Sequence, residues 1–236
     1  MAKKGKVSHL FEDEVEERPV RYRRYKQLFL IVCEDENTEP AYFDKFKSRI
    51  RQETIFLRPV GTGRDPKGVA ERAIIERDKL SKQAKMDVDI VYIVFDKDDA
   101  DENPTKIARF NDAFTIAAQQ NMKIAYSNEV FELWLLLHLT DVDLDVPLPR
   151  ETIYELLQEK IRLHTNYETF EYDHGNSNII DVVSTIGDEE NAIVRAELLL
   201  QGHGVTAPIS ANPSTTVHLL IKELKQWIDF FNYVPE

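Results

Sequence analysis

Two stretches of this chain end an apolar run on acids. "LFLIVCEDENTEP" (28–40) passes from six uncharged residues to Glu34, Asp35 and Glu36, and "DIVYIVFDKDDAD" (89–101) runs into Asp96, Asp98, Asp99 and Asp101. Carboxylates gathered in one place repel and raise one another's pKa unless a cation sits among them. Hard oxygen donors at that density suit Mg²⁺ or Mn²⁺ rather than zinc. A cation held in this way binds a phosphoryl oxygen, activates water and stabilises a leaving alkoxide. Glu34, Asp96 and Asp98 are the candidate ligands, with Glu34 or the intervening Lys97 as candidate acid–base group. The plainer alternative for "DKDDADENP" is an acidic surface turn, and Asp99 and Asp101 fit it.

Other acids carry a weaker signal. Glu39 suits a helix N-terminus, where the dipole favours an anion, yet it lies near enough to Glu34 in the chain to reach a second ion. Glu132 sits in "VFELWLLLH", apolar nearly all round. A buried carboxylate needs a partner, so Glu132 either serves a metal site or pairs with an arginine such as Arg72 or Arg195. His138 reads as a packed core or rim histidine, and Cys33 as a small buried residue.

These residues must be positioned by elements. "QLFLIVC", "TIFLRPV", "VDIVYIVF" and "KIAYS" are strand-like and alternate with helical stretches, giving β-α-β-α-β-α-β-α over residues 27–142. Continuous apolar strands alternating with helices predict a parallel sheet covered on both faces. Ligands collect at the carboxyl ends of such strands, where both acidic clusters fall. With adjacent strands about 4.8 Å apart, neighbouring first and third strands would bring Glu34 opposite Asp96 and Asp98, provided extended backbone persists through Lys97. Asp65 and Pro66 fit the cap and first residue of a helix. The loop before them, "GTGRDPKG", resembles a phosphate cradle only loosely, with Arg64 and Lys67 as candidate phosphate contacts.

From 143 to 236 the alternation stops, and "RETIYELLQEKI", "IDVVSTI", "ENAIVRAELLLQ" and "STTVHLLIKELKQWIDFF" are helical in period. The fold expected is therefore α/β, a parallel sheet flanked by helices with a C-terminal helical lobe. In that lobe Asn212 and Ser214 read as caps, and His218 could reach a substrate. Residues 1–26 alternate basic and acidic blocks, which predicts a solvated, mobile tail. Within it "RYRRYK" could also touch phosphates.

The bulk numbers bound the function. The chain of 236 residues is 42% hydrophobic and 31% charged, as a globular protein is. Its longest apolar run, "FELWLLLHL", is too short to span a bilayer. With one cysteine and no secretory pattern, a cytoplasmic location is expected. A net charge of −12 weighs against a simple binder of nucleic acid, which neutralises phosphates with cations. It leaves room for a metal-dependent enzyme acting on phosphodiesters.

A strand ending in Glu, followed one βαβα unit later by a strand ending in Asp-x-Asp, resembles the Toprim domain of topoisomerases, primases and OLD-type nucleases. "LIVCEDENTEPAYF", "FDKDDA", "SNEVFELWLLLH" and "NPSTTVHLLIKEL" together resemble the RloB-like family of bacterial defence proteins, over residues 27–231. The resemblance implies a Toprim-like sheet with Glu34 as the Toprim glutamate and Asp96 and Asp98 as its aspartate pair. It further implies a Mg²⁺- or Mn²⁺-dependent nuclease acting on DNA or RNA (tRNA included) in anti-phage defence and abortive infection. A partner ATPase and a homo-oligomer are candidate associations. One position departs from the pattern: the residue after the glutamate, usually Gly, is Asp35, which adds a side chain and a charge at the site mouth.

Two rivals stand beside the nuclease. One is a non-catalytic Toprim-like subunit of an ATPase-driven defence complex, with the acidic surface and helical lobe as its interface. The other is a receiver domain, which also gathers aspartates at strand ends but expects a strand ending in Lys soon after "KIAYS"; "EVFELWLLLHL" stands there instead.

Overall fold

A computed structural model describes residues 21–233. Of the tail expected at 1–26, residues 1–20 lie outside them. Tyr22 and Tyr25 are half-buried; both pack edge-on against Phe56, with ring centroids at 4.9 and 5.2 Å.

Four parallel strands form the sheet: β1 (Gln27–Cys33), β2 (Ile55–Gly61), β3 (Ile90–Asp96) and β4 (Lys123–Asn128). A fifth, β5 (Ser214–Thr215), runs antiparallel to β4, and the order is β2-β1-β3-β4-β5. β1 is buried along its whole length because it is internal and covered on both faces. Its residues alternate between two cores. Phe29, Ile31 and Cys33 face one cluster, and Leu28, Leu30 and Val32 face the other.

The second cluster is closed by α2 (Pro66–Ala84) and α3 (Pro104–Gln119), which contribute Val69, Leu80, Phe110 and Ala117. Both helices start as their sequences dictate. Asp65 accepts from the Gly68 N–H, Asn103 accepts from the Lys106 N–H, and a proline follows each cap.

The first cluster is closed by α1 (Thr38–Asp44), α4 (Glu132–Leu137), α5 (Arg150–Arg162), α6 (Asn178–Ile186), α7 (Glu189–His203) and α8 (Val217–Asn232). It runs without a break from Phe29 to Ile228, so the core passes across residue 142.

The expected helix over "STTVHLL" starts later than its composition suggests. Ser214 and Thr215 pair with Asn128 and Ser127 of β4, and α8 begins at Val217. Asn212 is no cap; its Oδ1 accepts the Leu148 N–H at 2.9 Å. The sheet edge at β4 needs hydrogen-bond partners, and this need overrides local helical preference. Among the described residues no helix is long and apolar enough to cross a membrane.

Candidate active site

β1 and β3 are adjacent, with Cys33 paired to Val94. Their acidic ends therefore meet, as the strand-end reading requires. Glu34, one residue past β1, accepts the Asp96 N–H on Oε2 at 2.9 Å. Asp96 closes β3 and accepts the Phe131 N–H on Oδ2 at 3.0 Å, while its Oδ1 is buried with no hydrogen-bond partner. Glu39, in the first turn of α1, accepts the Asp35 N–H on Oε2 at 3.1 Å; its Oε1 is likewise buried and unpartnered.

Asp98 joins the group by a route the alternation rule does not give. The backbone leaves extended geometry after Asp96, and Asp98 has a left-handed φ of 47°. Its N–H donates to the Glu129 carbonyl at 2.9 Å, and Arg150 lies 3.1 Å from its Oδ1. Glu132, the first residue of α4, is buried and accepts a hydrogen bond from the Tyr172 hydroxyl.

Glu34, Glu39, Asp96, Asp98 and Glu132 all line one cavity of about 200 Å³. Arg150 and Tyr154 of α5, with His174 beyond it, form its other wall. A second opening of about 170 Å³ shares Glu34, Asp96 and Asp98 and is flanked by Lys106 and Arg109 of α3. The acids thus sit between two mouths, each with a cation beside it.

Burial dominates the electrostatics. It lifts Glu34 to about 8, helped by the charges of Asp98, Asp65 and Asp35 and opposed by the Asp96 N–H. Asp96 and Glu39 are pushed well above the carboxylate range, first by burial and then by neighbouring acids. Asp98 is raised by burial against the pull of Arg150, and Glu132 by burial against its hydrogen bond from Tyr172. Such a cluster cannot ionise fully without positive charge among it.

The donor set fits a hard divalent cation: every candidate ligand is a carboxylate, and two of its oxygens are buried without a hydrogen to accept. As the side chains stand, no three His, Cys, Asp or Glu groups among the described residues converge on a single ion position. Holding an ion therefore requires carboxylates to turn, and Asp98 to loosen from Arg150.

Several of the expected site residues are engaged elsewhere in the fold. Lys97 is buried, with its ammonium 2.8 Å from both Glu129 and Asp101; it lines the second opening beside Asp96 and Asp98 but not the larger cavity, and both ion pairs hold its ammonium in place. Lys67 pairs with Asp112 at 2.8 Å, and exposed Arg64 lines neither mouth. His218 is buried against the Thr215 carbonyl at 3.1 Å and does not reach the cavity. Glu132 finds Tyr172 rather than an arginine: Arg72 binds Glu76 at 2.6 Å and Arg195 binds Asp141 at 2.6 Å. His138 packs as expected, with Nδ1 2.9 Å from the Trp134 carbonyl.

The glycine loop also has a local explanation. A Cβ on Gly61 would lie 2.5 Å from the Glu36 Cα, and the Gly63 N–H donates to the Glu34 carbonyl at 2.8 Å. These glycines let the acidic loop pack against β2. Asp35 is likewise used locally, accepting the N–H groups of Glu36 at 2.8 Å and Thr38 at 2.5 Å, where it closes the start of α1.

The residues missed from sequence are Arg150, Tyr154, Tyr172, His174, Lys106 and Arg109. Nothing in "PTKIARF", "RETIYELLQEKI" or "EYDHGN" distinguishes them from ordinary helices and a loop.

A protein-family model described as RloB-like protein matches residues 29–224 of the chain. No curated protein and no solved structure matches it.

Proposed function

The chain belongs to the RloB-like family, and from that premise we propose a Toprim-type nuclease that hydrolyses DNA or RNA phosphodiesters with Mg²⁺ or Mn²⁺ in anti-phage defence. One observation carries this proposal: Asp96 Oδ1 and Glu39 Oε1 are buried and unpartnered in a cavity walled by acids. Buried polar atoms are rarely left unsatisfied, and a hard cation is the partner that such oxygens suit.

Glu34, Asp96 and Asp98 would hold the ion, with Glu39 and Glu132 placed for a second one or for fixing the first. A divalent ion bound there polarises a phosphoryl oxygen and lowers the pKa of a water. With Glu34 Oε2 on the Asp96 N–H, Oε1 would hold the ion's water and take its proton as that water attacks phosphorus, while the P–O bond to the leaving oxygen breaks and that oxygen takes a proton from solvent. Arg150, once released from Asp98, is in reach of the phosphate entering the cavity. Tyr172 keeps Glu132 oriented.

The test is cleavage of plasmid DNA and tRNA by the pure full chain, with and without Mn²⁺, against Glu34→Ala and Asp98→Ala. Metal-dependent cutting lost in both variants supports the proposal; indistinguishable behaviour of all three removes it.

A second reading, a non-catalytic subunit of an ATPase-associated complex, is favoured by the Arg150–Asp98 pair, which already neutralises one candidate ligand. Co-purification with an ATPase, with no turnover alone or in the complex, would select it.

A further inference from the structure

We infer that the site takes an unpaired strand, one nucleobase of which lies against Tyr154 and His174 while the adjoining phosphate meets the carboxylates; the phosphate's place rests on the nuclease reading. Two rings, Tyr154 and His174, line one wall of the cavity, and a third, Tyr172, packs against Tyr154 to complete a platform. Tyr154 stacks on Tyr172 with centroids 4.7 Å apart and planes 25° from parallel, and His174 lies 5.7 Å from Tyr154. The Tyr172 hydroxyl is hydrogen-bonded to Glu132, so the platform is fastened to the acidic cluster itself. Tyr154 and His174 share the cavity lining with Glu34 and Asp96.

A π-face beside a phosphate position is how single-stranded nucleic acid is gripped, since every base has a face to stack. Arg150 stands four residues before Tyr154 on α5, on the same side of the helix. It brings a guanidinium to that end of the cavity. At the other mouth stand Lys106 and Arg109, held by Asp99, Glu102 and Asp65. A strand crossing Glu34, Asp96 and Asp98 therefore meets a cation on either side and rings on one side only.

Size and charge point the same way. The cavity of about 200 Å³ is smaller than the ~300–1,000 Å³ of pockets for drug-sized ligands. It admits one base or one sugar–phosphate unit and excludes a duplex. At a net charge of −12 the protein cannot draw its affinity from broad phosphate neutralisation. Stacking, which salt barely weakens, must supply much of it.

The test uses the full chain in Ca²⁺ and short labelled oligonucleotides, in DNA and RNA versions, carrying a central 2-aminopurine. Single strands should bind at least about 10-fold tighter than the matched duplex, with quenching of the 2-aminopurine. Loss of one stacking contact should weaken binding by about 5- to 150-fold, in Tyr154→Leu and in His174→Ala. Tyr154→Trp should retain both affinity and quenching. His174 is exposed, so its substitution spares the fold even where Tyr154→Leu does not. Duplex binding as tight as single-strand binding overturns the inference, as does unchanged quenching in His174→Ala or no binding at all. Binding with these preferences but no cleavage in Mg²⁺ leaves it standing and removes the nuclease reading; preferential cleavage of duplex does the reverse.

Discussion

The Glu34 carboxylate accepts the backbone N–H of Asp96 at 2.9 Å, so the acid ending β1 is hydrogen-bonded into the end of β3. One side chain thereby joins two strands whose acidic ends lie 62 residues apart in the chain. Its charge and its hydrogen bond can be separated by substitution. Glu34→Gln keeps a carbonyl acceptor for the Asp96 N–H and removes the need to take up a proton, or bury a charge, on folding. Metal-free protein should then melt a few degrees higher than wild type, while Mg²⁺ affinity measured by calorimetry falls at least about 10-fold, or about 1.4 kcal/mol. Glu34→Ala should lose the same affinity without the gain in stability, because the Asp96 N–H is left without its acceptor.

The raised pKa of Glu34 gives metal-free protein a defined pH dependence. In the unfolded chain this carboxyl titrates near its ordinary 4.5, and in the fold near about 8. Between those values the folded state holds a proton that the unfolded state has released, so stability falls as pH rises. The contribution is fully present below about 4.5 and gone above about 8. In chelator, the melting temperature should decline by several degrees across that window, with a flatter profile in Glu34→Gln. Added Mg²⁺ should reverse the decline most at high pH, with protons released on binding. A profile rising through the same window would remove the buried, protonated carboxyl.

The strand ends were legible because period and composition coincide there: β1 and β3 are apolar runs stopped by acids, and a parallel sheet places such ends together. Asp65 and Pro66 announced α2 for equally local reasons. Glu132 was visible as a carboxylate in need of a partner, but the partner was not. Tyr172 comes from a loop 40 residues away, and only tertiary folding brings it there. The ion pairs of Lys97 were not legible, because in sequence it stands only beside Asp96 and Asp98. The backbone turn after β3 sends its ammonium to Glu129 instead. β5 was hidden for the opposite reason, since two residues cannot show a period and the sheet edge at β4 decides their state.

Lys97 is therefore expected to matter for stability and not for the chemistry. Its side chain is 6% exposed and paired with Glu129 at 17% and Asp101 at 57%. Lys97→Met keeps the packed stem and leaves Glu129 with the Asn212 amide at 3.2 Å. Removing one partner of a largely buried pair should cost about 1–3 kcal/mol, or roughly 2–9 °C in melting temperature for a chain of this size. Below the transition, Mg²⁺ affinity should stay within about 3-fold of wild type. A large loss of affinity in folded Lys97→Met would return this residue to the site.

Tyr172 separates two roles for Glu132. The carboxylate is 4% exposed and accepts the Tyr172 hydroxyl, against a burial that favours its neutral form. Tyr172→Phe keeps the stacking ring and deletes only the donor. A buried acceptor left unpaired costs about 1–3 kcal/mol, so metal-free Tyr172→Phe should melt several degrees lower than wild type. The response to Mg²⁺ then discriminates. If Glu132 turns to the ion, the cation replaces the lost donor and the gap in melting temperature narrows in Mg²⁺. If Glu132 only props the aromatic platform, the gap is the same with and without the ion. A Glu132→Gln and Tyr172→Phe double-variant cycle in chelator sets the size of the direct coupling, against which the Mg²⁺ effect is measured. Because the cavity already gathers five other acids around Glu132, the narrowing is the expected result.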